Sequence, residues 1–292
     1  MSNWCIGVLG GSGLYELPEL EDAHWQAVDS PWGTPSDEVL VGTISGRRFA
    51  FLPRHGRGHR IAPGSVNSRA NIDALKRVGA TDILSVSAVG SLREELAPGQ
   101  FVAVDQFIDR TKGRPASFFG DGVVAHVSMA DPVCPRLSRL ASVAAERAGA
   151  AVQQGATYLA MEGPQFSTRA ESRLYRQWGC DVIGMTAMPE AKLAREAELP
   201  YALMGMVTDY DCWRDDQSQV EVTDVLAILR DNAARAARML VALAEALPDE
   251  RSVSPLDTVL DFAIVTPPEN RCPLAMAKLD AVCGRLRQSA RG

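Results

Sequence analysis

Eight short apolar segments recur along the chain with the length and β-branched content of strands: Cys5–Leu9, Val39–Ile44, Phe49–Leu52, Asp82–Ala88, Phe101–Val104, Thr157–Met161, Asp181–Ile183 and Tyr201–Val207. Helical patterns separate many of them, at Asn67 to Gly79, Pro135 to Gly149, Thr168 to Gly179, Pro189 to Glu198 and Val222 to Leu247. Thr168-Arg169-Ala170-Glu171 has the form of a capping box, Pro189 suits a first helical turn, and Gly79, Gly149 and Gly179 suit helix stops. Such alternation predicts a single-domain α/β fold, a mixed β-sheet flanked by helices. No internal repeat or low-complexity linker interrupts it. The one polar connection, Pro248 to Pro255, separates an expected domain at 1–248 from a C-terminal extension at 249–292. That extension reads as a strand-like or helical stretch and a helix near Leu274 to Leu286, packed on the same domain or on a neighbouring subunit.

Composition narrows the function. With 46% hydrophobic residues among 292, there is ample material for a large core. The net charge is −6 and the basic residues are scattered apart from Arg54, Arg57 and Arg60, which argues against a nucleic-acid surface. No apolar run approaches the roughly 18 residues of a spanning helix, and the N-terminus lacks a basic region before an apolar stretch, so a cytoplasmic protein without a membrane partner is expected. The cysteines at 5, 134, 180, 212, 272 and 283 form no CxxC or zinc spacing and read as free thiols, Cys272 and Cys283 pairing only in an oxidising setting. No metal is implied.

Chemistry-bearing residues gather where the apolar segments stop. Thr208-Asp209-Tyr210-Asp211-Cys212-Trp213 places two carboxylates two positions apart at the end of a strand-like run. If the extended backbone continues, both point to one side, where open α/β sheets bind ligands; a solvated acidic turn is the plain alternative. Gly10-Gly11-Ser12-Gly13 reads as an anion cradle or a tight turn. Pro53 to Arg60 packs three arginines with His55 and His59 into a glycine-punctuated loop, either an anion site or a solvated basic loop. Ser87-Ala88, Glu162 to Ser167 with its Phe166 ring, and Gly184-Met185-Thr186 close further strands with hydroxyl, aromatic or acidic groups. Each is weak alone. Their recurrence describes one composite pocket with an anion cluster, an apolar patch and a carboxylate pair, an inventory that suits a purine nucleoside with inorganic phosphate.

Longer segments sharpen this: GGSGLY at 10–15, RHGRGH at 54–59, NSRANI at 67–72, GSLREEL at 90–96, DQFIDRT at 105–111, EGPQFSTRAES at 162–172, GMTAMPEAKLAREA at 184–197 and TDYDCW at 208–213. On these, from Ile6 to about Leu247, the sequence resembles the trimeric purine nucleoside phosphorylase superfamily, in its S-methyl-5′-thioadenosine phosphorylase branch. The resemblance implies phosphorolysis of methylthioadenosine to adenine and 5-methylthioribose 1-phosphate, with inorganic phosphate as co-substrate and no cofactor. It implies a phosphate site of Ser12, Arg54, His55, Ser87 and Thr186, with Ala88 and Met185 beside the ribose. Phe166 would stack on the base and Ile183 line the same wall. Asp209 and Asp211 would read the purine, with Thr208 supporting them, and Val222 and Val225 would wall the methylthio group. His126 would come from a neighbouring subunit of a trimer or hexamer. Ser12 and Ser87 stand where threonine is common and keep its hydroxyl; Gly184 stands where some relatives have asparagine, so a contact there is not carried over.

Glycosyl transfer develops positive charge on the sugar, which a held phosphate stabilises and attacks. Asp209 is then the expected acid toward N7, its pKa raised by burial beside Asp211, and Asp211 the acceptor from the 6-amino group. The rivals are a phosphorylase for 6-oxopurine nucleosides or methylthioinosine, a hydrolytic nucleosidase, and a non-catalytic nucleoside-binding protein.

Overall fold

Eleven strands pair into one mixed sheet in the computed structural model, which describes residues 4–11, 13–214 and 222–289, the side chains of 222–227, 288 and 289 excepted. The strands are β1 (Cys5–Gly10), β2 (Glu21–Gln26), β3 (Val39–Ile44), β4 (Arg47–Pro53), β5 (Asp82–Ser91), β6 (Phe101–Val104), β7 (Gln106–Asp109), β8 (Val152–Gln154), β9 (Thr157–Ala160), β10 (Val182–Gly184) and β11 (Tyr201–Asp209). The helices are α1 (Ser68–Arg77), α2 (Pro135–Arg147), α3 (Arg169–Gln177), α4 (Ala187–Glu196), α5 (Val222–Ala246), α6 (Pro273–Lys278) and α7 (Gly284–Ser289). The expected α/β class and its flanking helices are what the chain forms.

The main path runs β2-β3-β4-β1-β5-β10-β9-β7, while β11 joins β5 to β6 and β6 carries β8. β1 lies parallel to β4 and β5, β11 parallel to β5, and β10 antiparallel to β5. Both faces of the central strands are buried, which is why they read as continuous apolar runs instead of alternating ones. Along β11, Tyr201, Leu203 and Val207 enter the core on one face with residues of α1 and α4. Ala202, Met204 and Met206 enter the other with residues of α2 and α5.

Local signals explain most boundaries. The Thr168 side chain accepts from the Glu171 N–H and the Glu171 carboxylate from the Thr168 N–H, completing the expected capping box of α3. Three strands gave no usable signal: β2 is polar and mostly exposed at the sheet edge, and β7 and β8 are four and three residues long. α4 begins before Pro189, at Ala187, with Met188 in extended geometry inside it. The expected helix from Leu274 to Leu286 is two short helices, because the chain breaks where Leu279, Val282 and Cys283 turn into the core. All six cysteines are free, Cys272 and Cys283 included. Among the described residues no helix is long and apolar enough to cross a membrane.

Residues between Val259 and Leu286 pack on the α1/α4 face, tied by ion pairs from Arg77 to Asp280 and from Arg285 to Glu198 (2.6 Å). The tightest tie is at Asp82, wholly buried at the start of β5, which meets both Arg251 and Arg136 (2.6 Å). Removing one partner strands buried charge, so Arg251→Ala should cost about 3 kcal/mol, the lower end of the range for such pairs because Arg136 remains. Urea unfolding measures this; a loss under about 0.5 kcal/mol, the scale of an ordinary surface change, would mean that the tail is held otherwise.

Candidate active site

A strand has two edges, and β5 divides one of them. β11 pairs with β5 from Ile83 to Gly90, so β1, which pairs with Asp82–Ser85, and β10, which pairs with Gly90–Ser91, share the other edge in turn. Residues 86–89 fall between them. There a cavity of about 340 Å³ opens, and Val86, Ser87, Ala88 and Val89 line its floor. A larger, shallower groove of about 860 Å³ between α5, α2 and residues 13–19 is lined by small and apolar side chains together with glutamates and arginines; among the described residues no hydroxyl or imidazole converges on it, so the smaller cavity is the candidate site.

One wall carries the residues expected at the anion site. Arg54 follows β4, His55 comes next, and Ser87 Oγ lies 3.2 Å from Thr186 Oγ1 at the head of α4. Arg54 is not a free cation. It is 2% exposed and forms a buried ion pair with Glu190 of α4, Nε and Nη2 both donating to the carboxylate. Nη2 also donates to Ser85 Oγ (2.7 Å) and Leu9 O (3.1 Å), and Nη1 donates to Val86 O (3.2 Å), leaving one Nη1 proton for the cavity. Burial alone would lower the Arg54 pKa; the Glu190 charge outweighs it and raises it.

His55 is neutral at pH 7, since burial and the neighbouring Arg54 charge lower its pKa to about 4. Its Nδ1 lies 2.8 Å from Ile61 O and so carries the proton, which leaves Nε2 as an acceptor. The His59 ring stacks on it at 4.4 Å and joins the wall. Arg57 and Arg60 do not: Arg57 is held by Asp37 and Glu38, and Arg60 by Ser36 O. The basic cluster therefore contributes one arginine to the site.

The opposite wall carries the carboxylates. Strand geometry does not align them, because β11 ends at Asp209 and Asp211 sits past it with φ 51°. A turn brings both to the cavity, closed by a hydrogen bond from the Asp211 N–H to Asp209 Oδ1 (2.7 Å). Thr208 Oγ1 donates to Asp209 Oδ2 at 2.7 Å and lies 3.3 Å from a second acceptor, Val89 O. A side chain at position 90 would crowd this wall, since a Cβ would stand 3.0 Å from Asp209 Oδ1 and 3.1 Å from Ile183, so both would have to give way. Burial raises both pKa values. For Asp209, the Thr208 and Asp211 hydrogen bonds pull back against it. Asp211 is pushed up to about 6 by burial, which the nearby Ser172 hydroxyl opposes and the Asp209 charge reinforces, and its Oδ2 has no hydrogen-bond partner.

Ala88, Ile183, Met185, Thr208 and Phe166, the last 51% exposed at the mouth, complete the walls. Gly184 cannot hold a larger residue, since a Cβ there would meet Tyr158 Oη at 2.1 Å. Ser12 lies outside the described residues, as do the side chains of Val222 and Val225; farther along the same helix, Leu229 and Ala233 reach the cavity. His126 is exposed and away from this cavity, its N–H donating to Ala263 O. Sequence reasoning missed Glu190, Ser85 and the tyrosines behind Arg54; a carboxylate inside the small-residue helix Ala-Met-Pro-Glu-Ala was the only hint. Among the described residues no three His, Cys, Asp or Glu side chains cluster as a metal site.

The fold and this two-walled cavity define the class: residues 5–245 match the Phosphorylase superfamily. Two curated relatives named S-methyl-5′-thioadenosine phosphorylase are similar over nearly their full lengths. The protein of Cereibacter sphaeroides is 58% identical over 96% of this chain and 98% of its own, and that of Bradyrhizobium diazoefficiens 54% over 98% and 99%. A methylthioadenosine phosphorylase structure from an antarctic soil metagenomic library superposes with a TM-score of 0.91 at 45% identity, covering 97% of this chain and 99% of that one. The Schistosoma mansoni methylthioadenosine phosphorylase in complex with adenine gives 0.79 at 36%, over 83% and 91%. The chain belongs to the S-methyl-5′-thioadenosine phosphorylase family.

The buried Asp211 carboxyl makes stability pH-dependent. Its folded pKa of about 6 exceeds the ordinary 3.8, so the folded chain binds this proton more tightly; the resulting stabilisation is full below 3.8 and is lost as pH rises through about 6. Asp211→Asn has no proton to lose and should gain on the wild type between pH 4 and 7, by about 2–3 kcal/mol at 1.36 kcal/mol per pKa unit. Unfolding curves at several pH values test this; a difference that stays constant with pH would rule out the raised pKa.

Proposed function

We propose that the chain is a cytoplasmic phosphorylase that cleaves S-methyl-5′-thioadenosine with inorganic phosphate, giving adenine and 5-methylthioribose 1-phosphate. The observation that carries it is one cavity of about 340 Å³ with anion donors on one wall and a buried carboxylate pair on the other. Phosphate is a co-substrate, and no cofactor enters the scheme.

Phosphate would sit between the free Nη1 proton of Arg54, the hydroxyls of Ser87 and Thr186, and Ser12. His55 Nε2, an acceptor, would take a hydrogen bond from the phosphate P–OH, turning an unprotonated oxygen toward C1′. That oxygen forms the new C–O bond as the C1′–N9 bond breaks and the electron pair passes into the purine. Phosphate charge faces the oxocarbenium-like carbon, and Ala88 and Met185 flank the ribose. Asp209 gives its proton to N7. The Thr208 hydroxyl makes this feasible: it can turn its own proton from Asp209 to Val89 O, so the acid form of Asp209 finds a place. Asp211 Oδ2, unpartnered in the protein, accepts from the 6-amino group, and a 6-oxo group there would leave two acceptors facing each other. Phe166 stacks on the base against Ile183.

The 5′ end would be finished by Val222, Val225 and the partner subunit's His126, in a homotrimer or a dimer of trimers. Supporting this, His126 is exposed and its neighbours Val124, Phe262 and Val265 leave 39%, 98% and 56% of their surface open on the same segment pair.

Adenine release from methylthioadenosine should require phosphate, and Asp209→Asn should lower the turnover number about 10²–10⁴-fold as expected for a lost general acid. Steady-state kinetics with and without phosphate check both; full turnover in phosphate-free buffer would reject phosphorolysis, and an unchanged turnover number would reject Asp209 as the acid.

Light scattering should give a trimer or hexamer, with His126→Ala raising the KM for methylthioadenosine more than that for phosphate. A fully active monomer would refute this assembly.

A further inference from the structure

Two cavity loops come from distant parts of the chain. Residues 162–166 follow β9 and carry Phe166; residues 185–188 run from the end of β10 into the start of α4 and carry Met185 and Thr186. Arg114, from the stretch after β7, lies between them with a side chain only 6% exposed, outside the cavity wall. Its Nη2 donates to Glu162 O (2.7 Å), its Nη1 to Met185 O (2.7 Å) and Met188 O (2.9 Å), and its Nε to the Glu162 carboxylate (3.1 Å). The loops also touch directly, since a Cβ at Gly163 would fall 2.4 Å from Met185 Sδ. Glu162 is fixed in turn by the Lys112 N–H (2.6 Å).

Resting on the site reading above, we propose that Arg114 is a positioning residue that joins the base-side and phosphate-side loops into one unit, so that binding of purine and of phosphate favour each other. The guanidinium is planar and rigid, and its donors leave in fixed directions along three edges. A base that seats Phe166 orders residues 162–166; the Glu162 O–Arg114–Met185 O bridge carries that order to Thr186, which faces the phosphate. Phosphate ordering Thr186 returns the same coupling free energy to the base, because linkage is reciprocal. Lysine keeps the charge, but its three donors leave a single nitrogen and cannot reproduce the spread of Nε, Nη1 and Nη2 across the two loops.

Adenine and phosphate do not react with each other, so calorimetry on the full chain can measure adenine affinity with and without saturating phosphate. The wild type should show at least about fivefold tighter adenine binding with phosphate, the low end of ordinary coupling. Arg114→Lys should bring that ratio below twofold while adenine alone binds within threefold of wild type. A merely structural role would lower the folded fraction and leave the ratio unchanged. Glu162→Gln, which keeps every backbone acceptor, should give an intermediate ratio and carries the test if Arg114→Lys does not fold. Wild-type coupling in both variants, or none in the wild type, overturns the proposal. Arg54→Ala separates the underlying reading: unaltered phosphate affinity there rejects the phosphate site itself, whereas weakened phosphate with coupling intact in Arg114→Lys rejects only the role of Arg114.

Discussion

The edges of β5 are the constraint on which the rest depends. Ten residues long, β5 gives one edge to β11 and divides the other between β1 and β10, and the interval at 86–89 becomes the floor of the cavity. A gap of this kind exposes backbone acceptors that must be satisfied. Arg54 satisfies part of that need by donating to Val86 O and Leu9 O from beneath the floor. The Arg54–Glu190 pair then does two jobs: it closes the sheet where the strand pairing fails, and it presents one guanidinium proton to the cavity in a fixed direction.

Electrostatics in the cavity follow from that pairing. With Arg54 matched by Glu190 and His55 neutral, the anion wall offers directed hydrogen bonds and little net charge. On the proposed reading, such a wall would hold phosphate by geometry without burying an unpaired cation, whose desolvation would be severe. The opposite wall is built on the contrary principle. Two carboxyls are brought together by a turn in a buried place, and burial raises both pKa values, as the proposed proton donation to a leaving base requires. In the proposed reaction, one molecule spanning both walls would meet a nucleophile holder and an acid at opposite ends.

The sequence by itself determined the strand–helix alternation, the caps of α3 and the residue types at the strand ends, because each depends on periodicity or on contacts within a few residues. It also exposed Arg54, His55, Thr186, Asp209 and Asp211 as chemical groups, since unusual side chains where an apolar run stops are visible without coordinates. Edge strand β2 was invisible, as a polar strand held by one neighbour carries no apolar period. Only the tertiary structure decided which arginine of three faces the cavity, because Asp37 and Glu38 reach Arg57 across the fold while Glu190, 136 residues from Arg54, reaches it from α4. It likewise decided that a turn, not strand alternation, aligns Asp209 with Asp211, and that Arg114 lies behind the loops. Those facts rest on contacts between segments far apart in the chain, and local sequence carries no record of which distant partner a buried charge will find.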